Sequence, residues 1–176
     1  MSSLGDEYCT PPALAAYLVD RFQLDLDVCA RFNSACCREF FGPPGFDYSS
    51  ICPEMNSVTR PILAGENGLL HSWLGRRCWM NPPYSKPLPW LMRAADHAKS
   101  SGVLVALIRI DPSTEWWNYV DGVAQEVWWT PRLKFIGGDQ VYNFPTGVVI
   151  YDGLIRTSTK YCKWPGEFTK AMRGLE

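Results

Sequence analysis

Residues 81–84 read Asn-Pro-Pro-Tyr and follow a short apolar run. Each proline fixes its φ angle and lacks a backbone N–H, and a residue before proline is pushed toward extended backbone. The tetrapeptide therefore predicts a stiff corner that presents carbonyl oxygens, one side-chain amide and one aromatic ring. The Asn81 side-chain oxygen and the Pro82 carbonyl can each accept an N–H, and Tyr84 can stack on a flat ring. Such a corner suits a planar group that carries an NH2.

The amino group of a base is a weak nucleophile, because its lone pair is delocalised into the ring. Two acceptors that bind its hydrogens hold the nitrogen in place and favour tetrahedral geometry, so that the lone pair can point at an electrophile. Asn81 is neutral, and catalysis here would be mainly positioning and electrostatics, with proton loss after transfer. The matching electrophile is a sulfonium methyl group, as in S-adenosylmethionine.

Length and composition predict one globular domain spanning residues 1–176. Hydrophobic residues make up 47% of the chain and charged residues 20%, which permits a substantial core. The net charge of −1 gives no general attraction to nucleic acid, so any contact with a polyanion must come from local clusters. The basic residues near the tetrapeptide are Arg76, Arg77, Lys86 and Arg93, and a second pair is Arg132 and Lys134.

The seven cysteines include no Cys-x-x-Cys pair, and only two histidines accompany them. We therefore predict no metal site, and we expect free thiols in a reducing compartment. The sequence shows neither a signal segment nor an apolar run long enough to span a bilayer. These features predict a soluble protein of the cytoplasm that has no membrane partner.

Hydrophobic spacing predicts helices alternating with strands, which is typical of an α/β protein with a mostly parallel sheet flanked by helices. Thr10 is the predicted N-cap and Pro11 the first residue of a helix that contains Leu14, Leu18 and Phe22. Residues 42–70, rich in proline and glycine, resemble a loop. Further helices are predicted at residues 87–100 and 113–121, and strands at residues 23–30, 40–41, 77–80, 103–110, 147–151 and, once or twice, within 123–135.

Two polar side chains are expected at one edge of this sheet. Asp27 lies near the end of the first predicted strand and Asn81 at the end of a later one, and ligands of open parallel sheets bind beyond the carboxyl ends of the strands. Asp27 can bind the ammonium group of a methionine-type ligand. The helix start at Thr10 and Pro11 offers backbone N–H groups for the carboxylate of the same ligand. An ordinary half-exposed strand also explains Asp27.

The tetrapeptide resembles motif IV of the amino-methyltransferases, which act on DNA adenine, on RNA or on protein glutamine. A longer ordered series is similar to the phage-type DNA N-6-adenine methyltransferase family, also described as Dam-like, over roughly residues 8–151. The series consists of Thr10-Pro11, Leu-Asp-Val-Cys-Ala at 26–30, Asn-Ser-Ala-Cys at 33–36, Asn67-Gly68-Leu69, Trp73, the tetrapeptide, the run 107–112, Thr-Glu-Trp-Trp at 114–117 and Arg-Leu-Lys-Phe at 132–135.

The resemblance implies a Rossmann-like fold and transfer of a methyl group from S-adenosylmethionine to N6 of adenine in double-stranded DNA, with the base flipped out of the helix. The implied cofactor-binding residues are Thr10, Pro11, Asp27 and Ala30, with Glu66 or Asn67 near the adenine ring; the implied catalytic residues are Asn81, Pro82, Pro83 and Tyr84. The sequence departs from the pattern in lacking a glycine-rich loop after Asp27. It also has Asp111 where the family is apolar, and only Asp47 suggests itself for the ribose hydroxyls.

Several alternatives remain open. The chain could methylate RNA or a protein glutamine, or bind cofactor or DNA without turnover. Segment 42–70 could be an inserted target-recognition element, with 136–146 a weaker candidate, or either could be a plain surface loop. A homodimer on a palindromic site would raise the low DNA affinity expected of a monomer. A phage origin would suit protection of viral DNA from restriction in the host cytoplasm. One tryptophan of each pair, at 116–117 and at 128–129, is expected in the core.

Overall fold

The computed structural model describes residues 9–45, 60–133, 144–154 and 157–166. Within them, two α-helices and two short 3₁₀ helices accompany eight strands. The helices are α1 (Pro12–Phe22), α2 (Leu88–Lys99) and the 3₁₀ helices Gly68–Leu70 and Glu115–Tyr119. The strands are β1 (Leu26–Asp27), β2 (Glu39–Gly42), β3 (Ile62–Glu66), β4 (Arg77–Met80), β5 (Val103–Arg109), β6 (Glu126–Trp129), β7 (Thr146–Asp152) and β8 (Lys160–Lys163).

All eight strands belong to one sheet in the order β3-β2-β1-β4-β5-β7-β6-β8. The five strands from β3 to β5 run parallel to their neighbours, β7 is antiparallel to β5 and β6, and β8 is parallel to β6. This arrangement confirms the predicted α/β class and the Rossmann-like, mostly parallel sheet. No helix within the described ranges has both the length and the apolar character needed to cross a bilayer.

Both faces of the central strands are covered, which explains why β5 is almost wholly apolar. On one face, Leu14 and Leu18 of α1 pack against Val105 and Leu107. On the other face, the helix α2 packs its apolar side against Leu104 and its neighbours. The helix residues involved are Leu91, Ala94 and Ala98. Burial on two faces fixes the height of the strand ends, and therefore the position of the residues that follow them.

The chain changes direction across the sheet at the β1–β4 boundary. After β1 the chain adds β2 and β3 on one side, and it then returns to place β4 on the other side. Leu26 pairs with Cys78 and Asp27 with Trp79, so the carboxyl ends of β1 and β4 lie side by side. A crevice opens at such a switch point, and it is the usual ligand position in this class of fold.

The predicted start of α1 is wrong by one residue. Pro11 is the N-cap, Pro12 is the first helical residue, and no side chain caps the helix. The Thr10 hydroxyl instead accepts a hydrogen bond from the side-chain amide of Asn81, 3.2 Å away. The predicted strand 23–30 is also too long. Only Leu26 and Asp27 form a strand, and Gln23, with φ of 51°, is the C-cap of α1.

The predicted loop at 42–70 contains regular structure in its described part. Residues 62–66 form β3, which pairs in parallel with β2 with a register shift between Phe40 and Phe41. Residues 68–70 form a 3₁₀ helix. Residues 46–59, including Asp47, lie outside the described residues, as does most of 136–146. A target-recognition role for 42–70 stays a prediction.

Candidate active site

A cavity of about 360 Å³ opens at the carboxyl edge of the sheet, where β1, β2 and β4 end. Six of the residues predicted from the sequence line it, and they come from four separate stretches of the chain. They are Thr10, Asp27, Ala30, Asn67, Asn81 and Pro83. The structure therefore brings both predicted polar groups, the carboxylate after β1 and the amide after β4, into one space.

Asp27 is a buried carboxylate in the wall of this cavity, with only 2% of its surface exposed. Its Oδ1 accepts the backbone N–H of Cys29 at 3.2 Å, and its Oδ2 accepts that of Cys36 at 3.0 Å. Burial raises the pKa of Asp27 to about 7, although the two N–H groups act in the opposite direction. A cation placed in the cavity would favour the ionised form.

Asn81 is tied to the residue before the N-cap of α1. Its Nδ2 donates to Thr10 Oγ1 over 3.2 Å, which fixes the plane of the amide group. The Thr10 hydroxyl also hydrogen-bonds the thiol of Cys36, whose backbone N–H holds Asp27. One threonine thus connects the amide to the segment that holds the carboxylate. The sequence pattern predicted a cofactor contact for Thr10 but no role in orienting Asn81.

The two prolines of the tetrapeptide occupy different positions. Pro83 lines the cavity, and its carbonyl accepts the backbone N–H of Lys86 at 3.1 Å, which turns the chain toward α2. Pro82 is buried and is not among the residues that line the cavity. Because the Pro83 carbonyl is used in the turn, the carbonyl of Pro82 is the candidate acceptor for a substrate N–H.

Tyr84 lies beside the cavity rather than in its wall. Its ring packs against the core on the α1 side, and its centroid is 5.7 Å from that of Phe144 at an interplanar angle of 74°. Burial raises the pKa of its hydroxyl above the ordinary value for tyrosine. The structure therefore places Tyr84 next to a second aromatic ring, and stacking on a base remains a prediction for it.

Glu66 and Asn67 play different structural parts at the end of β3. Asn67 lines the cavity, adopts a left-handed backbone with φ of 56° and donates its N–H to the Gly42 carbonyl at 2.7 Å. The Glu66 carboxylate instead accepts the N–H of Gly45 at 2.9 Å. It therefore holds the turn after β2, which contributes Pro43 to the cavity wall. Glu66 is not itself a lining residue.

Gly68 and Trp73, two landmarks of the sequence resemblance, shape the cavity through packing. A Cβ atom at Gly68 would lie 2.0 Å from the carbonyl oxygen of Val28, so only glycine fits this approach. The buried Trp73 ring donates its N–H to the Gly68 carbonyl at 2.8 Å. The ring of Trp90, which lines the cavity, stacks on Trp73 with centroids 6.4 Å apart.

The sequence-based reasoning missed several apolar lining residues. Phe41 is the clearest example, because it lies at the end of β2 and faces the cavity. The rule that selected Asp27 and Asn81, namely a position at the carboxyl end of a parallel strand, would also have selected Phe41. Trp90, in the first turn of α2, also lines the cavity, and only the packing of α2 against the sheet brings it there.

The sulfur atoms around the cavity are poorly suited to nucleophilic or metal chemistry. Cys9 and Cys29 line it, and burial together with the nearby Asp27 raises the pKa of the Cys29 thiol well above its usual value. Across the described part of the chain, no three residues among His, Cys, Asp and Glu are grouped so as to hold a metal ion. Pro11, the N-cap of α1, is not a lining residue.

Comparison with known proteins bears on this cavity directly. The family model described as DNA N-6-adenine-methyltransferase (Dam) matches residues 41–147, which include the ends of β3 and β4. This chain belongs to that family. A DNA N-6-adenine-methyltransferase of Haemophilus phage HP1 is 31% identical over 139 residues, covering 76% of this chain and 68% of the phage protein.

A second relative of the same description comes from Escherichia phage T1. It is 26% identical over 156 residues, which cover 78% of this chain and 56% of the phage protein. The family match confirms the resemblance drawn from the ordered sequence series. The matched region contains the tetrapeptide and the lining residues from Phe41 onward, whereas Thr10, Asp27 and Ala30 precede it.

Proposed function

We propose that this chain methylates the N6 amino group of adenine in double-stranded DNA and takes the methyl group from S-adenosylmethionine. Membership of the Dam family supports DNA as the substrate and a methyl donor as the cofactor. The observation that carries the finer proposal is the joint placement of Asp27 and Asn81 in one cavity. One group is suited to an ammonium ion and the other to a base NH2.

The residues present fit S-adenosylmethionine. Asp27 is buried, lies in the cavity wall and has a raised pKa, so it gains from a cationic ligand. The apolar wall formed by Phe41, Pro43 and Trp90 offers a flat surface for an aromatic ring. When bound, S-adenosylmethionine would supply a methyl group on a positively charged sulfur. Ala30 also lines the cavity, and its backbone N–H donates to the Phe41 carbonyl at 3.0 Å.

The start of α1 is proposed to bind the cofactor carboxylate. The first intrahelical bond runs from the N–H of Ala15 to the carbonyl of Pro11. Pro12 has no N–H, so the amide groups of Ala13 and Leu14 are the first-turn donors outside that ladder. The helix start follows directly on Thr10, which lines the cavity. Positive charge from the helix dipole adds to the attraction.

The tetrapeptide is proposed to hold the target adenine. Asn81 would accept one N–H of the amino group through Oδ1, since Nδ2 is occupied by Thr10. The Pro82 carbonyl would accept the other N–H, and Pro83 keeps the corner rigid. Tyr84 would contact the ring of the extruded base from the side of Phe144. The protein thus contributes orientation and two acceptors rather than a general base.

A transfer assay separates this proposal from its alternatives. The purified chain is incubated with methyl-labelled S-adenosylmethionine and, separately, with duplex DNA, RNA or a glutamine-containing protein. We expect the label in N6-methyladenine of the duplex. Label found only in RNA or protein would replace the proposed substrate. Tight cofactor binding without transfer to any DNA would assign the chain to the non-catalytic binding class.

The target sequence and the assembly on DNA are further parts of the proposal. A homodimer on a palindromic site, with segment 42–70 reading the sequence, would compensate for the lack of net positive charge. Mapping of modified adenines in host DNA after expression would give the recognition motif, and a palindromic motif would support the dimer. Sedimentation of the chain with its duplex would count the copies bound.

A further inference from the structure

An exposed ion pair stands at the carboxyl end of β5, outside the cavity. Arg109 Nη2 lies 2.8 Å from Asp111 Oδ2, and their side chains are 48% and 21% exposed. Asp111 is the residue that departs from the family's apolar pattern. The ion pair accounts for Asp111 at this position. It leaves open what Arg109 does there.

Register places this ion pair close to the proposed site of methyl transfer. Met80 of β4 pairs with Ala106 of β5, and Asn81 is the next residue after Met80. With a rise of about 3.3 Å per residue and about 4.8 Å between strands, the backbones of Asn81 and Arg109 lie roughly 8 Å apart. A nucleotide seated at Asn81 would bring its backbone within reach of a long, exposed arginine side chain.

A series of ring contacts joins Arg109 to the tetrapeptide. The guanidinium carbon lies 5.3 Å from the centroid of the Phe144 ring. That ring in turn lies 5.7 Å from the ring of Tyr84. Arg109 is therefore held on the same side of the sheet as the corner that would receive the base. A planar guanidinium kept against an aromatic ring loses less freedom when it binds a second group.

Asp111 has a second partner that would remain if Arg109 moved away. Ser113 Oγ donates to Asp111 Oδ1 at 2.6 Å. This hydroxyl is the foremost cause that holds the pKa of Asp111 below its usual value, ahead of the charge of Arg109. The carboxylate would thus stay hydrogen-bonded and ionised without the arginine. The ion pair can therefore open without leaving the Asp111 carboxylate without a hydrogen-bond donor.

We infer that Arg109 binds a backbone phosphate of the DNA beside the target adenine, and that Asp111 competes with this phosphate for the guanidinium. The inference rests on the proposed function, since it requires DNA at the Asn81 corner. The guanidinium fork matches a phosphate as well as a carboxylate. In the free protein Asp111 occupies the position that a phosphate oxygen takes in the complex.

The matched control is another exposed ion pair at the opposite edge of the sheet. Lys99 Nζ lies 3.2 Å from Asp96 Oδ1 at the end of α2. Because α2 ends just before β5 begins, this pair is a full strand length away from Asn81. If DNA affinity depended only on overall charge, substitution of the acidic residue in either pair would change the affinity equally. If Arg109 contacts a phosphate, only substitution of Asp111 should change it.

The test measures the affinity for a fluorescent DNA duplex by anisotropy, with S-adenosylhomocysteine present and at several salt concentrations. Arg109→Ala should weaken binding about fivefold to tenfold and lower the slope of log affinity against log salt by about one. Asp111→Asn should tighten binding about threefold, because the competing charge is gone. The double variant should behave like Arg109→Ala, and Asp96→Asn should match the wild type.

The gain in Asp111→Asn protects the test from misfolding, because a damaged protein would not bind DNA more tightly. Unchanged affinity in Arg109→Ala, or a gain in Asp111→Asn that persists without Arg109, overturns the inference. An equal gain in Asp96→Asn also overturns it. Wild-type methyl transfer is measured in parallel, so that an enzyme inactive on every DNA refutes the proposed function, whereas an active enzyme insensitive to Arg109 refutes only this inference.

Discussion

Asp25 and Asp27 are two positions apart in the chain, but they lie at opposite ends of β1 and in opposite electrostatic surroundings. Asp25 Oδ2 lies 3.1 Å from Arg76 Nε, and the Asp25 side chain is 49% exposed. Asp27 is 2% exposed and is held by backbone N–H groups, with no Lys or Arg of the described residues bonded to it. Asp25 has an ion-pair partner within the protein, whereas Asp27 is the carboxylate that we propose to bind a cationic ligand.

The same contrast extends along the two edges of the sheet. At the amino edge, Arg76 also pairs with Glu39 at 3.0 Å, and Arg77 Nε donates to the Phe22 carbonyl at 2.8 Å. These two arginines are neighbours of the tetrapeptide in the sequence, yet they lie at the start of β4, whereas the tetrapeptide follows its end. They join the amino ends of the strands, whereas Arg31 in the cavity wall and Arg109 at the end of β5 lie at the carboxyl edge with Asn81. Position along a strand, rather than proximity in sequence, decides the role of a charge here.

The largest expected effect is that of Asn81→Ala. Loss of the amide acceptor should lower the rate of methyl transfer by about 10³-fold, because the substrate amino group would no longer be oriented. The Kd for S-adenosylmethionine should stay within about threefold. Asn118→Ala, on the exposed side of a 3₁₀ helix, is the control. A variant at Asn81 with more than a tenth of the wild-type rate would contradict the proposed role.

The next effect concerns pH and the stability of the free protein. The pKa of Asp27 is raised from its ordinary value of 3.8 to about 7 in the folded chain. The folded state therefore binds this proton more tightly than the unfolded state does. The resulting contribution to folding stability is complete below pH 4 and is lost as the pH rises toward 7. Relative to Asp27→Asn, the wild type should lose roughly 3 kcal/mol of unfolding free energy over that range. Urea unfolding at several pH values measures it, and a difference independent of pH would refute it.

Substitution of the two aspartates sharpens the contrast further. Asp27→Asn should weaken S-adenosylmethionine binding about 30-fold to 100-fold, because the ammonium group loses its charged partner. Asp25→Asn removes the carboxylate just before the same strand and should leave this affinity unchanged. Calorimetry on both variants checks the pair. Equal losses of affinity would mean that the effect is one of overall charge rather than of the cavity.

The smallest effect is expected from Arg76→Ala. Its side chain is 29% exposed, and its ion pairs are partly screened by water, so unfolding free energy should fall by only about 1 kcal/mol. Methyl transfer and cofactor affinity should be unaffected at a temperature where the variant is folded. Denaturant unfolding followed by tryptophan fluorescence gives the first value. A change in cofactor affinity would show that the two edges are not independent.

The elements that were predicted well from the sequence are those with strong local signals. Strand β5 and helix α2 have runs of buried apolar side chains, and the tetrapeptide marks the end of β4 by its prolines. Trp117 and Trp128 are in the core, as expected of one member of each pair, and Trp129 is 41% exposed. Asp27 and Asn81 could be brought together by topology alone, since both follow parallel strands.

The elements that escaped prediction depend on partners distant in sequence. Strand β3 reads Ile-Leu-Ala-Gly-Glu, which is short and does not alternate apolar with polar residues, and its Ile62 and Leu63 are exposed. Its regular backbone comes from pairing with β2. The hydrogen bond from the Gly45 N–H to the Glu66 carboxylate and the position of Trp90 in the cavity wall likewise form only once the strands and helices have packed. Local sequence carries no sign of such contacts.

The claim that Asp27 is poised for a cationic ligand can be tested on that carboxyl group itself. Carbon-13 NMR of labelled aspartate, assigned by comparison with Asp27→Asn, would follow its titration in the free protein and with S-adenosylmethionine bound. We predict a pKa of about 7 in the free protein, in line with its burial, and a value lower by at least about one unit in the complex. An ordinary pKa in the free protein, or no change on binding, would contradict the assignment of this cavity.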